Sequence, residues 1–172
     1  MSPPMTAALR FADFIDAMTR LISHIASVLL LALVALVFCN VAGRYVIGNA
    51  PVWMQELEWH LLVPTAMLGI VVLMLEKGHV RVDMLYDKMS PKARHWIDFV
   101  SMVLGAAVAL LLIRYSTGFV ENSFSLLEGS PDPGGLPGRW ALKGFLPIAF
   151  ALLALQCAAN AIRSLNAIRS TD

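Results

Sequence analysis

Charge is the scarcest commodity in this chain. Only 15% of its 172 residues are Asp, Glu, Lys or Arg, against 58% hydrophobic, whereas an ordinary soluble domain carries roughly 25% charge. A water-soluble globule is excluded on that ground. No Lys/Arg-rich run occurs and the net charge is +1, so the clustered basic face that nucleic acid requires is missing and nucleic acid is not a partner. Cysteine is nearly absent too. Cys39 and Cys157 each sit inside an apolar segment, without the CxxC or Cys/His spacing of a metal or redox pair. Both read as small core residues.

Four windows hold no Asp, Glu, Lys or Arg: Leu21 to Gly43, Trp59 to Leu75, Phe99 to Ile113 and Gly144 to Ile162. A membrane helix needs about 20 mostly apolar residues. The second and third windows reach that length by extending into flanks whose isolated charges can sit at lipid headgroups. The fold class is therefore an all-α integral membrane protein, one membrane domain over 1–172, with four transmembrane helices near 21–43, 52–75, 95–120 and 142–163. Asn49 and Pro51 signal the start of the second helix, and Ser90-Pro91 that of the third, a cap followed by proline at the first helical position. A third helix continuing to Leu127 would measure roughly 55 Å and must tilt, bend near Gly105 or Gly118, or project from the bilayer.

The first window reads as a span and not a cleaved signal peptide: it is too long for an h-region and is followed by "RYVIGN", which lacks a small-residue cleavage site. Ahead of it Phe11, Ile15, Met18 and Ile22 fall at helical spacing, with Arg10, Asp13, Asp16 and Arg20 on the other side. This pattern predicts a short N-terminal amphipathic interfacial helix lying on membrane lipids. With both termini inside, Arg10, Arg20, Lys77, Arg81, Lys88, Lys92, Arg94, Arg163 and Arg169 face the cytoplasm, while only Arg44, Arg114, Arg139 and Lys143 face out. The positive-inside rule thus makes both termini cytoplasmic. The outer connector "EGSPDPGGLPGRW", with three Pro and four Gly, is an irregular loop that ends on an interfacial anchor, Trp140.

No ionisable group of the kind that marks transport and proton paths falls at mid-membrane, where it would cost about 2.5 to 3.5 kcal/mol. A proton-coupled multidrug exporter needs a carboxylate there. A four-helix haem protein needs histidines at matching depth, but His24 and His60 fall near opposite faces, and a thiol oxidase needs an outer cysteine pair. No catalytic, metal, substrate or cofactor site is expected, and the chain is not read as an enzyme. What is present is packing material. Ala35, Cys39 and Gly43 on the first span, and Ser101, Gly105 and Ala109 on the third, are small residues at four-residue spacing that let helices approach. Asn40 and Asn160 can bond between helices, and Pro64 and Pro147 can bend spans two and four.

Polar groups concentrate at the borders. On the outer side Glu56 and Glu58 lie in the first turns of a helix, favoured by its dipole, and an ion pair with Arg44 or contact with a soluble partner are both open. On the inner side "EKGHVRVDMLYDK" alternates His79, Arg81 and Asp83. Val80 and Val82 between them give an extended segment an apolar face, and a helix would pair only His79 with Asp83. A loop-fixing hydrogen bond, with Arg81 reaching lipid phosphate or a partner, explains the trio better than catalysis.

With these residues in place the chain resembles the small membrane subunit of tripartite ATP-independent periplasmic (TRAP) transporters. "GRYVIGNAPVWMQELEW" is similar to the family's first outer loop, "EKGHVRVDMLY" to its stretch after span two, and "GRWALKGFLPIAFALLALQ" to its last span. Many relatives carry a basic residue two or three positions after the outer-loop Glu, where this chain has Glu58, Trp59 and His60. The resemblance implies a bacterial inner-membrane location and a secondary transporter whose other parts are a periplasmic substrate-binding protein and a large multi-span subunit that moves organic acids with sodium. In that setting the small subunit braces the large one, and Arg44, Glu56, Glu58, His79, Arg81 and Asp83 are partner or structural contacts. A self-sufficient small four-helix transporter or membrane enzyme is the alternative, to be separated by whether the chain purifies with a much larger membrane protein.

Overall fold

A computed structural model describes residues 3–76 and 89–170, with side chains from Thr6 onward. It contains four long helices: α1 (Pro3–Ala42), α2 (Val52–Leu75), α3 (Pro91–Ser125) and α4 (Arg139–Ser170). Each is long and apolar enough to cross a membrane. A π-helical turn, Gly43–Ile47, closes α1.

The helix starts follow local chemistry. Pro51 caps α2 from an extended conformation. Ser90 caps α3, its Oγ accepting the Ala93 N–H at 3.3 Å, and Pro91 sits where a missing N–H costs nothing. Helix α3 stops at Ser125 and spans about 52 Å at 1.5 Å per residue. Pro64 and Pro147 both lie inside uninterrupted helices.

The expected surface helix and the first span form a single helix of 40 residues. No Gly or Pro interrupts the chain between Met5 and Ala42, so nothing in the backbone asks for a break. Its division into wet and dry faces also differs from the periodicity. Ile15 is buried with Ala12 against Ala159 of α4, yet Asp16 beside it is buried as well and Phe11 is exposed. Of the polar face only Asp16 is buried against another helix, while Arg10, Asp13 and Arg20 stay exposed.

Helix α4 is the hub. It packs on α1, α2 and α3, whereas α3 takes nearly all its packing from α4. Cys157 of α4 is fully buried, with Met102 and Ala161 around it and Met74 and Phe99 packed against that group. Gly105 permits this approach: a Cβ there would stand 3.2 Å from Cys157 Sγ. Of the two small-residue stripes, Gly105 and Ala109 turn inward on α3, while Ala35 and Cys39 on α1 are exposed. Asn160 ties α4 to α2, its Nδ2 donating to the Met74 carbonyl at 2.9 Å.

Candidate functional site

Polar side chains gather in two clusters along α4, one from its middle toward the end carrying the termini and one at its opposite end. At the end carrying the termini, Thr19 Oγ1 donates to Gln156 Oε1 at 2.6 Å, and Gln156 Nε2 donates to Asp16 Oδ1 at 2.9 Å. Arg163 completes the chain of contacts: Nη1 donates to Asp16 Oδ2 at 2.5 Å and Nη2 to Asp13 Oδ1 at 2.7 Å. Thr19 and Gln156 are fully buried and Asp16 nearly so. Such groups are tolerated away from water because each finds its partner. The sequence held one clue to this clamp. Asp13 and Asp16, at i and i+3, share a helix face, and Gln156 is one of two amides, with Asn160, in an otherwise apolar window.

At the far end a carboxylate organises the loop between α3 and α4. Glu56, buried in the first turns of α2, accepts from Ser130 Oγ, from the Leu136 N–H and, at 3.1 Å, from Arg139 Nη2. The loop closes on itself through Ser130 N–H to Leu136 O (3.0 Å) and Arg139 N–H to Glu128 O (2.9 Å). Gly135 is required by the approach: a Cβ there would fall 2.8 Å from Glu56 Oε2 and collide with Ser130. Gly134 and Gly138 take left-handed φ angles of 81° and 80°. Beside this, Glu128 Oε2 accepts from Lys143 Nζ at 2.5 Å and from Ser123 Oγ at 2.6 Å. Those donors, Lys143 foremost, hold the Glu128 carboxyl below the ordinary carboxylate range. Lys143 also lies 4.2 Å from the centroid of the Phe119 ring.

The cation on Glu56 is therefore Arg139 and not Arg44, which makes no ion pair with Glu56 or Glu58. Residues two apart on a helix point to different sides. Glu56 turns to the α3–α4 loop, and Glu58 turns to α1, where Oε1 accepts from Asn40 Nδ2 at 2.6 Å. His60 Nδ1 donates to the Glu56 carbonyl at 2.8 Å, while its Nε2 is buried without a partner. Two cavities flank these groups. One of about 330 Å³ is lined by Glu56, His60, Glu128, Arg139 and Lys143; the other, about 470 Å³, brings Arg44, Glu58 and Asn40 together. His79, Arg81 and Asp83 lie outside the described residues.

The chemistry of both ends is adhesive. Carboxylates, amides and guanidinium groups join separate segments of the chain, and the charge-free windows run between them.

Comparison with known proteins identifies a family. Residues 33–167 match the family described as "Tripartite ATP-independent periplasmic transporters, DctQ component". The ectoine TRAP transporter small permease protein TeaB of Halomonas elongata is 24% identical over 128 residues, which cover 74% of this chain and 65% of TeaB. The uncharacterized protein y4mM of Sinorhizobium fredii is 35% identical over 103 residues, 59% of this chain but 18% of that protein. The chain thus spans less than two thirds of the length of either relative. The family match covers well over half of the chain, the four long apolar helices account for it physically, and the chain belongs to the DctQ component family, the small membrane subunits of TRAP transporters.

Proposed function

We propose that this chain is a bracing subunit of the bacterial inner membrane: it holds a large multi-span partner in the bilayer while that partner carries out sodium-coupled, binding-protein-dependent uptake of organic acids. The observation that carries this reading is the division of labour inside the chain. Ionic groups join segments of the chain at the two borders, the amide of Gln156 joins helices within the last window, and the windows hold no charged residue that could bind an ion or an acidic substrate. A rigid frame suits such a construction better than a moving carrier does.

In this reading the end with the termini is cytoplasmic, by the excess of Lys and Arg there, and the Glu56 end faces the periplasm. Arg44 and Glu58, on the rim of the far-end cleft, are the positions open to a partner, whereas Glu56 is engaged internally. His79, Arg81 and Asp83 support assembly at the cytoplasmic border. The chain is not itself an enzyme and needs no cofactor.

Reconstitution tests the proposal. The large subunit with its binding protein is expected to show little uptake in vesicles until the small subunit is added; uptake at full rate without it would sink the bracing role.

A further inference from the structure

The second far-end cavity has features that the bundle itself does not explain. Helix α1 ends where the N–H groups of Gly48 (φ 73°) and Asn49 both close on the Gly43 carbonyl. The resulting wide turn presents Arg44 and Tyr45 to the cleft of about 470 Å³, opposite Gln55, Glu58 and Trp59 of α2. Asn40 forms part of its wall and is only 5% exposed. Its Nδ2 bond to Glu58 fixes which way round the amide sits, because the carboxylate would repel the oxygen, and this leaves Oδ1 buried with no donor. An unmet buried acceptor is costly and calls for a partner. Neither Glu58 nor Arg44 has an ion-pair partner among the described residues, although both line the same cleft.

One cleft thus offers an unpaired carboxylate, an unpaired guanidinium and an unmet acceptor. A ligand that meets all three carries an N–H-bearing cation and an anion on a short tether. The position says where such a ligand comes from. Asn40 is 21 residues along α1 from Thr19 (40 − 19), about 31 Å at 1.5 Å per residue, close to the thickness of a hydrocarbon core. Tyr45 and Trp59, 83% and 64% exposed, lie at that level, where aromatic side chains mark the headgroup zone. Val34, Phe38 and Val41, spaced i, i+4 and i+7, form an exposed apolar stripe on α1 leading away from the cleft toward mid-membrane.

We propose that this cleft binds the headgroup of a phospholipid bearing a primary ammonium, of the phosphatidylethanolamine kind. The phosphate pairs with Arg44. The ammonium donates to Glu58 and to Asn40 Oδ1, and the acyl chains lie along the α1 stripe. A choline headgroup has no N–H for Asn40, and a glycerol headgroup has no cation for Glu58.

Native mass spectrometry of the full chain in mild detergent, with dioleoyl phosphatidylethanolamine, phosphatidylcholine or phosphatidylglycerol added, reads the preference. One phosphatidylethanolamine is expected to be held about fivefold tighter than either of the others, the effect of one well-placed charge near a membrane surface. Glu58→Gln should reduce it to the phosphatidylcholine level, whereas Arg44→Ala, which removes the phosphate contact common to the three lipids, should weaken all of them, and Arg44→Lys should keep part of that binding. Glu58→Gln can still accept from Asn40, and Arg44→Ala removes a side chain with no ion pair in the bundle, so the second variant carries the test if the first misfolds. Equal retention of the three lipids, or undiminished binding in Arg44→Ala, would overturn the proposal. So would displacement by soluble O-phosphoethanolamine at equal concentration, which would mean a free ligand. A photoreactive residue at Val41 in intact cells should give a lipid-sized adduct; a protein-sized adduct would replace the lipid with a subunit interface.

Discussion

The two ends of α4 are held by similar groups in different ways. At the end with the termini, Asp13, Asp16, Thr19, Gln156 and Arg163 all stand on helices that are already formed, and the bonds run from one side chain to another. At the far end, Glu56 instead gathers a loop: one backbone N–H, one hydroxyl and one guanidinium, with a glycine that only just clears it. The first arrangement joins two rods. The second gives shape to a segment that has no regular structure of its own. A helix pair keeps its geometry if one contact is lost, because apolar packing such as Ile15 on Ala159 persists. The loop has no such reserve, so its carboxylate has the greater effect.

Replacing that carboxylate breaks the comparison most sharply. Glu56→Ala leaves Arg139 and the Leu136 N–H without their partner and the loop without the group that gathers it, so it is expected to cost the most stability of the changes named here. Hydrogen exchange should rise over residues 128–139 and stay unchanged around Gln156; a uniform rise along the chain would show that the two ends are one cooperative unit. Gln156→Leu is the matching change at the other end. It preserves volume but leaves Thr19 and one oxygen of Asp16 unbonded, for a loss of about 1 to 2 kcal/mol, the scale of interhelical hydrogen bonds in membranes. Thermal unfolding in detergent measures it, and a loss equal to that of Glu56→Ala would contradict the difference between rods and loop. The smallest effect is expected from acid. Glu128 has its native pKa lowered by Lys143 and Ser123, so its contribution is fully present above the ordinary value of 4.5 and fades as the pH falls through the lower native value. Glu128→Gln should flatten this part of the stability profile, while a wild-type profile that declines already near neutrality would point to other groups.

The sequence reading succeeded where the determining chemistry is local. Ser90-Pro91 and Pro51 start helices through their own caps and rings, and the four apolar windows declare themselves by composition. It fell short where the partner is distant. Glu56 and Arg139 are 83 positions apart, and Arg44, the nearer cation in the chain, drew the attention that Arg139 holds in the fold. The amphipathic pattern before Leu21 was read with two environments, water and lipid. A neighbouring helix is a third, polar where Gln156 and Arg163 stand and apolar where Ala159 does, and periodicity alone does not separate it from the other two. Gln156 gives almost no signal in the sequence because a neutral amide barely alters hydropathy, although its full burial makes it one of the largest side chains enclosed by the bundle.

Helix α4, on which the other three converge, also follows them in the chain. Until it enters the bilayer, α1 and α2 have each other, but α3 has almost nothing to lean against, and Asp16 has neither Gln156 nor Arg163. Completion of the bundle therefore waits on α4. A chain clipped or stalled before Gln156 keeps three hydrophobic segments that can each insert, yet it lacks the piece that turns them into one body. Order along the chain thus sets an order of assembly, in which α4 is the piece that joins α1, α2 and α3.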